Sequence, residues 1–521
     1  MAITFPRMLN VAAEYIDRPV ADGRGNLPAL RFEGETLTSG GLQTLVNRAA
    51  NALAGRGIEM EQRVALLLPD SPAWLAAFFG AIKLGAVPVP FNTLLTPDDY
   101  AYLLDDSRAR AIVADAALWA PLRERRAEMP FLRNVLLVGG NAAGEEDWTA
   151  ALATADTQAE VAPTSCDDAA FWLFSSGSTG APKGVVHLQH DMLCCEQLYA
   201  RSILRLGPAD VVLSAAKLYH AYGLGNSSYF PFAAGATSVL FPGRVTPQAV
   251  FDLIARERVS VFFGVPTLYA QMLQAAESGM ARDCSSLRLC VSAAEPLPAE
   301  IVRRWHTRFG VEILDGLGTT EALHIFISNR PGEVRPGSSG TPVPGYEARI
   351  VDEQGHEVDP GEIGTLEVKG DSVLACYWNQ HERTKQTIRG EWITTGDKYT
   401  QDADGYFWYA GRTDDMLKVG GRWVSPAEVE AALIEHHAVL EAAVVGQADA
   451  DELIKPKAFV VLRESVVDTP ELAAELQDFV KARIAPYKYP RWIEFVATLP
   501  KTATGKIQRY KLRQQDEGQR S

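Results

Sequence analysis

Between residue 40 and about residue 315, short apolar runs alternate with segments of helical spacing. No other feature restricts the fold as much. The runs at 64–68, 111–114, 134–138, 170–174, 211–216, 259–263, 287–292 and 311–315 are apolar almost throughout. A strand of that kind needs cover on both faces. Leu42, Leu45, Val46, Ala49, Ala50 and Leu53 repeat with helical spacing, and similar patterns near 72–84, 246–258, 266–277 and 298–309 supply the cover. The expected class is α/β, with largely parallel sheets. At 521 residues the chain is too long for one ordinary core, so at least two domains are expected.

The pattern changes at Tyr346. Short alternating strands at 347–351, 365–368 and 406–409, with turns at 353–355, 360–361 and 404–405, describe a small antiparallel or barrel-like piece. Beyond residue 412, a helix start at Ser425-Pro426, strands near 441–446 and 457–462 and a helix near 470–484 make a compact α+β unit. The expected division is 1–411 and 412–521. The first part holds two mostly parallel α/β subdomains plus the barrel-like piece. The pair His436-His437 is expected on a helix, facing solvent.

Charge narrows the function. Lys and Arg number 50 against 65 Asp and Glu, a net charge of −15. Nucleic-acid binding needs clustered cations, so it is not expected. None of the six cysteines stands in a CxxC pair, which argues against zinc and for free thiols in a reducing, cytoplasmic setting. The first ten residues have no signal-peptide core. The stretch 218–243 lacks charged residues and is long enough to span a bilayer, but Gly and Pro interrupt it, and it reads as buried core. No membrane partner is expected.

The strongest local signal is Ser175-Ser176-Gly177-Ser178-Thr179-Gly180-Ala181-Pro182-Lys183-Gly184, directly after the apolar run 170–174. Small residues let backbone N–H groups and hydroxyls close around phosphate oxygens, and Lys183 adds a cation. It is not a Walker loop, because Ala181-Pro182 separates Gly180 from Lys183. The order resembles the phosphate loop of the adenylate-forming, or acyl-CoA synthetase, superfamily. Further elements follow in that superfamily's order. Asp315-Gly316-Leu317-Gly318-Thr319-Thr320-Glu321 resembles its Gly-Tyr-Gly-x-Thr-Glu, with Leu317 where Tyr is common. By that resemblance Thr320 binds nucleotide phosphate and Glu321 holds Mg²⁺, while Ala294, Glu295 and Pro296 match the adenine side. Trp392-Ile393-Thr394-Thr395-Gly396-Asp397 and Gly411-Arg412-Thr413-Asp414-Asp415 resemble the ribose-binding and hinge elements. They imply Asp397 and Arg412 on the ribose and Asp414 as the pivot of a mobile C-terminal domain. Pro500-Lys501-Thr502-Ala503-Thr504-Gly505-Lys506 resembles the C-terminal catalytic motif and implies that Lys506 bridges substrate carboxylate and α-phosphate.

Within the superfamily, Lys217 to Asn226 resembles the acyl-site element of benzoate–CoA ligases, which commonly carry Phe where His220 stands. The resemblance implies an acyl slot lined by His220, Ala221, Tyr222, Gly223, Val265, Ala293, Gly318 and Ile325, with His324 near the carboxylate. An imidazole at 220 would accept a polar ring substituent or gate CoA entry. The expected reaction is ATP-dependent formation of an aryl adenylate, then acyl transfer to coenzyme A. The expected cofactors are ATP, Mg²⁺ and CoA, in a monomer or homodimer. Gly420, Gly421, Lys488 and Arg491 are candidates for the CoA side. The chain ends about fifteen residues after Lys506, which points to a diffusible acceptor. A medium-chain or alicyclic acid ligase would need a longer tunnel than Tyr222 and Ile325 leave. A nucleotide-binding regulator without chemistry would show damaged motifs.

Overall fold

The computed structural model describes residues 3–140, 144–177, 180–412, 415–419, 422–449, 453–463, 466–501, 507–509 and 511–513, with backbone only at 176, 177, 180, 181, 418, 422 and 423. Two sheets carry the apolar runs. One has nine strands, in the order 341–342, 325–328, 313–318, 289–292, 261–264, 211–214, 237–240, 28–32 and 35–38. Its interior is parallel, and antiparallel strands close both edges. The second sheet, of strands 87–90, 63–67, 111–115, 134–138 and 146–147, is parallel throughout. Helices lie between, and their starts are written locally. Thr38, Ser71, Thr96 and Thr246 each cap a helix through the side-chain oxygen, and Pro opens three of those four.

One apolar run belongs to neither sheet. Ala169–Gly177 pairs antiparallel with Gly180–Leu188, which also pairs with Cys376–Tyr377. The described residues of the phosphate-loop sequence therefore lie on the two paired strands of a hairpin. Strands Glu347–Val351, Gly364–Lys369, Trp392–Gln401, Ile388–Arg389 and Phe407–Arg412 form the antiparallel piece. The charge-free stretch 218–243 folds into short helical segments and the strand Thr237–Leu240. No described helix is long and apolar enough to cross a membrane.

The C-terminal unit has an apolar core of its own, built from Leu417, Val424, Val429, Leu433, Val444, Val460, Leu476 and Val480. His436 departs from expectation. The helix Pro426–Ile434 stops before it. His436 is then 3% exposed, with Nε2 3.1 Å from Glu475. Cys194, Cys195 and Cys290 are buried free thiols, whereas Cys166, Cys284 and Cys376 are only partly covered.

Helices Ser39–Ala54 and Pro72–Lys83 cross at Gly80, where an added Cβ would lie 2.7 Å from Ala49 Cβ and 2.9 Å from the Ala50 nitrogen. Alanine gains about 1 kcal/mol of helix propensity over glycine, but overpacking against backbone costs about 1–3 kcal/mol. Gly80→Ala should lower the thermal denaturation midpoint. A raised midpoint would show that the two helices separate at little cost.

Candidate active site

The parallel strands set the site. Val261–Gly264, Leu289–Ser292 and Ile313–Gly318 are neighbours in the nine-stranded sheet, and their C-terminal ends release Val265, then Ala293 to Pro296, then Gly318 to Glu321. Open α/β sheets bind ligands at that edge. The backbone there is strained. Ala294 has φ +78°, and Leu323 has φ 66°, ψ −42° in a turn that His324 N closes onto the Ala322 carbonyl at 2.8 Å. Such conformations cost roughly 1–3 kcal/mol and persist only where the surroundings enforce them.

Glu321 stands at the start of that strained turn. Its Oε1 accepts from the Tyr377 hydroxyl at 2.8 Å and the Ser175 hydroxyl at 3.4 Å, and lies 3.1 Å from Lys183 Nζ. Lys183 also donates to the Tyr377 hydroxyl at 2.8 Å. Burial raises the Glu321 carboxyl, but the Lys183 charge and the Tyr377 hydrogen bond outweigh it, and the net shift is downward. Burial, reinforced by the Glu321 charge, pushes the Tyr377 phenol up. The side-chain contacts of the described residues with this carboxylate fall on Oε1. One ionised carboxylate held by one oxygen, beside a phosphate loop, fits Mg²⁺, which takes few protein ligands and keeps several waters.

The far side of the same turn is also held. His187 is fully buried, with Nδ1 2.7 Å from Asp191 Oδ2 and Nε2 donating to the Thr320 carbonyl at 2.8 Å. Lys183 and His187 are four apart on one strand and so share a face. Tyr377 and His187 carry no local sequence signal, because their partners in the site lie 56 to 194 residues away, and Asp191 bonds His187 from four residues on.

The ribose candidates meet. Arg412 Nη1 donates to Asp397 Oδ1 at 3.0 Å across adjacent strands. Glu295 Oε2 accepts from Thr267 at 3.1 Å, and Ala294 and Pro296 are exposed at the rim. Asp315 is 5% exposed, and burial pushes its carboxyl well up. Gly316 and the half-buried Leu317 continue its strand. Of the phosphate loop, Ser175 and Lys183 are placed, Ser176, Gly177 and Gly180 have strand backbone, and Ser178 and Thr179 lie outside the described residues. Lys506, Asp414, Gly420 and Gly421 also lie outside them. Lys488 contacts both Glu428 oxygens at 2.6 Å, and Arg491 stacks 3.7 Å from the Tyr489 ring centroid.

The acyl candidates gather around His324, on the edge beyond Gly318. Its ring centroid is 5.6 Å from Tyr222, 4.5 Å from Phe230 and 5.5 Å from Tyr199. Nε2 lies 3.2 Å from Asn226 Oδ1. Gly225 is required here, since a Cβ would meet the His324 ring at 2.6 Å. Tyr222 donates to the carbonyls of Gly264 and Val291 at 3.3 Å, tying Ala221 and Gly223 to the strand ends that carry Val265 and Ala293. Ile325 is 2% exposed. His220 meets the Tyr219 ring edge-on at 4.6 Å, and its buried Nε2 has no hydrogen-bond partner among the described residues. Burial pushes His220 down to about 4 and His324 down to about 3, so both are neutral near pH 7.

These features, a hairpin phosphate loop, a Lys–Glu pair and an aromatic slot at the ends of parallel strands, are those of an enzyme that joins a nucleotide to a small acid. The AMP-binding enzyme family model matches residues 18–378, and its C-terminal domain model matches 428–506. The chain belongs to this family. It is 50% identical over 514 residues to the benzoate–CoA ligase of Thauera aromatica, covering 98% of this chain and 97% of that one. It is 46% identical over 511 residues to the 4-hydroxybenzoate–CoA/benzoate–CoA ligase of Rhodopseudomonas palustris, with 98% and 94% covered. Among solved structures, an anthranilate–CoA ligase in complex with anthranoyl-AMP superposes with a TM-score of 0.95, 43% identity and 98% of each chain covered.

A histidine with a depressed folded pKa adds stability that is fully present above its unfolded value, about 6.5, and is lost as pH falls toward the folded value. His220→Phe removes one such group. Between pH about 6.5 and 4 the variant's denaturation midpoint should fall less steeply than the wild type's. Identical slopes would show that His220 is already solvated.

Proposed function

We propose that this chain is an AMP-forming aryl–CoA ligase. It activates benzoate or a substituted benzoate with ATP, releasing pyrophosphate, and then transfers the acyl group to CoA, releasing AMP. The observation that carries the aryl reading is the cluster of rings in which Tyr222, Phe230 and Tyr199 all lie within 6 Å of a neutral His324. Flat aromatic walls suit a planar ring, and His324 without charge does not pay to desolvate a cation beside it. The unpartnered Nε2 of His220 is the polar handle that would distinguish one ring substituent from another.

The chemistry follows from the placed residues. A carboxylate oxygen attacks the α-phosphorus, a P–O bond to pyrophosphate breaks, and the acid becomes a mixed anhydride. Lys183 and the loop hydroxyls meet charge that builds on the phosphoryl oxygens. Thr320 would bind the nucleotide phosphate, and Glu321 would hold Mg²⁺, which when bound supplies further charge neutralisation on ATP. Asp397 and Arg412 would grip the ribose, and Ala294, Glu295 and Pro296 the adenine. A thiolate of CoA then adds to the carbonyl, and AMP leaves as the tetrahedral centre collapses. Lys506 would serve the first step.

A hinge at Asp414, dividing 1–411 from 412–521, would exchange the Lys506 face for a CoA face carrying Gly420, Gly421, Lys488 and Arg491. Two features support that motion. The C-terminal unit has its own core. Apart from the Arg412–Asp397 pair at the boundary itself, the ion pairs that tie it to the rest among the described residues are loose ones, Arg303–Glu435 at 4.0 Å and Arg463–Glu277 at 3.7 Å. Exposed pairs of this kind are worth about 0–1 kcal/mol each.

AMP release in the presence of ATP, Mg²⁺ and CoA tests the reading on a panel: benzoate, its hydroxy, amino and fluoro derivatives, cyclohexanecarboxylate and hexanoate. Turnover should be confined to the aryl acids, and the best substituent reports what His220 accepts. A win for hexanoate or cyclohexanecarboxylate would overturn the aryl slot.

A further inference from the structure

The segment 372–378 holds Glu321 at two points. Leu374 N donates to the Glu321 backbone carbonyl at 2.7 Å, and the Tyr377 hydroxyl donates to Glu321 Oε1 at 2.8 Å, so one short stretch holds both the main chain and the carboxylate. Ser372 donates to the Ala322 carbonyl at 2.8 Å. The same stretch is bonded along its length to the strand that carries Lys183. Ala375 N donates to Val186 O at 3.0 Å and Trp378 N to Gly184 O at 2.8 Å. Thr384 Oγ1 accepts from Tyr377 N at 3.0 Å, which fixes the tyrosine's backbone. Tyr377 itself is 3% exposed.

Lys183 has two tasks that conflict. In this structure it pairs with Glu321 and with the Tyr377 hydroxyl. To neutralise phosphate oxygens it must turn toward the nucleotide, and the carboxylate then loses its cation. What remains on Oε1 is the Tyr377 hydroxyl at 2.8 Å and the longer Ser175 contact at 3.4 Å. A hydrogen-bonded Oε1 leaves Oε2 as the oxygen presented to the site.

We infer that Tyr377 is a positioning residue for the metal: its hydroxyl holds Glu321 by Oε1, so that Oε2 faces Mg²⁺ after Lys183 has moved to the phosphates. This rests on the proposed metal role of Glu321. Groups that orient a metal ligand typically change metal affinity or activity by about 10–100-fold when lost.

The test is Tyr377→Phe. It removes the hydroxyl but keeps the ring, over whose face Lys183 Nζ sits 4.1 Å from the centroid. The Mg²⁺ concentration giving half-maximal pyrophosphate release from ATP and benzoate, without CoA, should rise about 10–100-fold. By calorimetry, ATP affinity should fall in the presence of Mg²⁺ and stay unchanged in EDTA. Thiolysis of supplied benzoyl-adenylate by CoA, which needs no metal-bound ATP, should keep its rate, and the denaturation midpoint should hold. Wild-type Mg²⁺ dependence, equal losses in both half-reactions, or ATP affinity weakened equally with and without Mg²⁺ would each overturn the inference. Glu321→Gln separates the two levels. If it loses adenylate formation while Tyr377→Phe behaves as wild type, only the inference fails. If Glu321→Gln keeps its Mg²⁺ dependence, the metal reading fails with it.

Discussion

A carboxylate with little access to water needs partners, and Glu321 finds them on three separate segments of chain. Lys183 comes from the hairpin strand Gly180–Leu188, Ser175 from its partner strand, and Tyr377 from the short third strand. The turn carrying Glu321 is strained at Leu323, so it would not hold its shape alone. His187 on the same hairpin strand holds the Thr320 carbonyl from the buried side. The small three-stranded sheet is therefore the clamp that gives the end of the large parallel sheet its geometry. Removing one member of the buried His187–Asp191 pair would leave the other unpaired in the core, which is costly.

The acyl side is organised on the opposite principle. There the polar groups are neutral and the walls are rings. His324 fits only because Gly225 has no side chain, and burial keeps both His324 and His220 uncharged. The two halves of the site meet along one stretch of chain: Glu321 sits beside Lys183 of the hairpin, and His324, three residues on, sits among the rings of Tyr222, Phe230 and Tyr199. The γ-turn at Leu323 between them reverses the chain so that the two side chains enter different surroundings.

Much of this was written in the sequence as order. The α/β alternation gave the two parallel sheets and most of their strands, and the spaced motifs brought Lys183, Glu321, Asp397 and Arg412 forward although they lie far apart. The structure then joins them in the pairs Lys183–Glu321 and Asp397–Arg412. What stayed hidden is of two kinds. Strand Gly180–Leu188 is broken up by Gly and Pro, so no periodicity marks it, and the apolar run before it looked like one more parallel strand. Tyr377 and His187 reach the site through long-range pairs, and a single chain has no local pattern for those. His436 falls outside the helix, which ends at Ile434, and its imidazole is buried with Nε2 against Glu475, a long-range contact that helical spacing does not show.

The account depends on an acyl-adenylate that forms before CoA takes part. Incorporation of labelled pyrophosphate into ATP, measured with Mg²⁺ and benzoate but without CoA, addresses this directly. The predicted result is exchange that requires the aryl acid and proceeds without any thiol. Exchange that is absent, or that appears only when CoA is added, would contradict a free-standing first half-reaction and the site described for it.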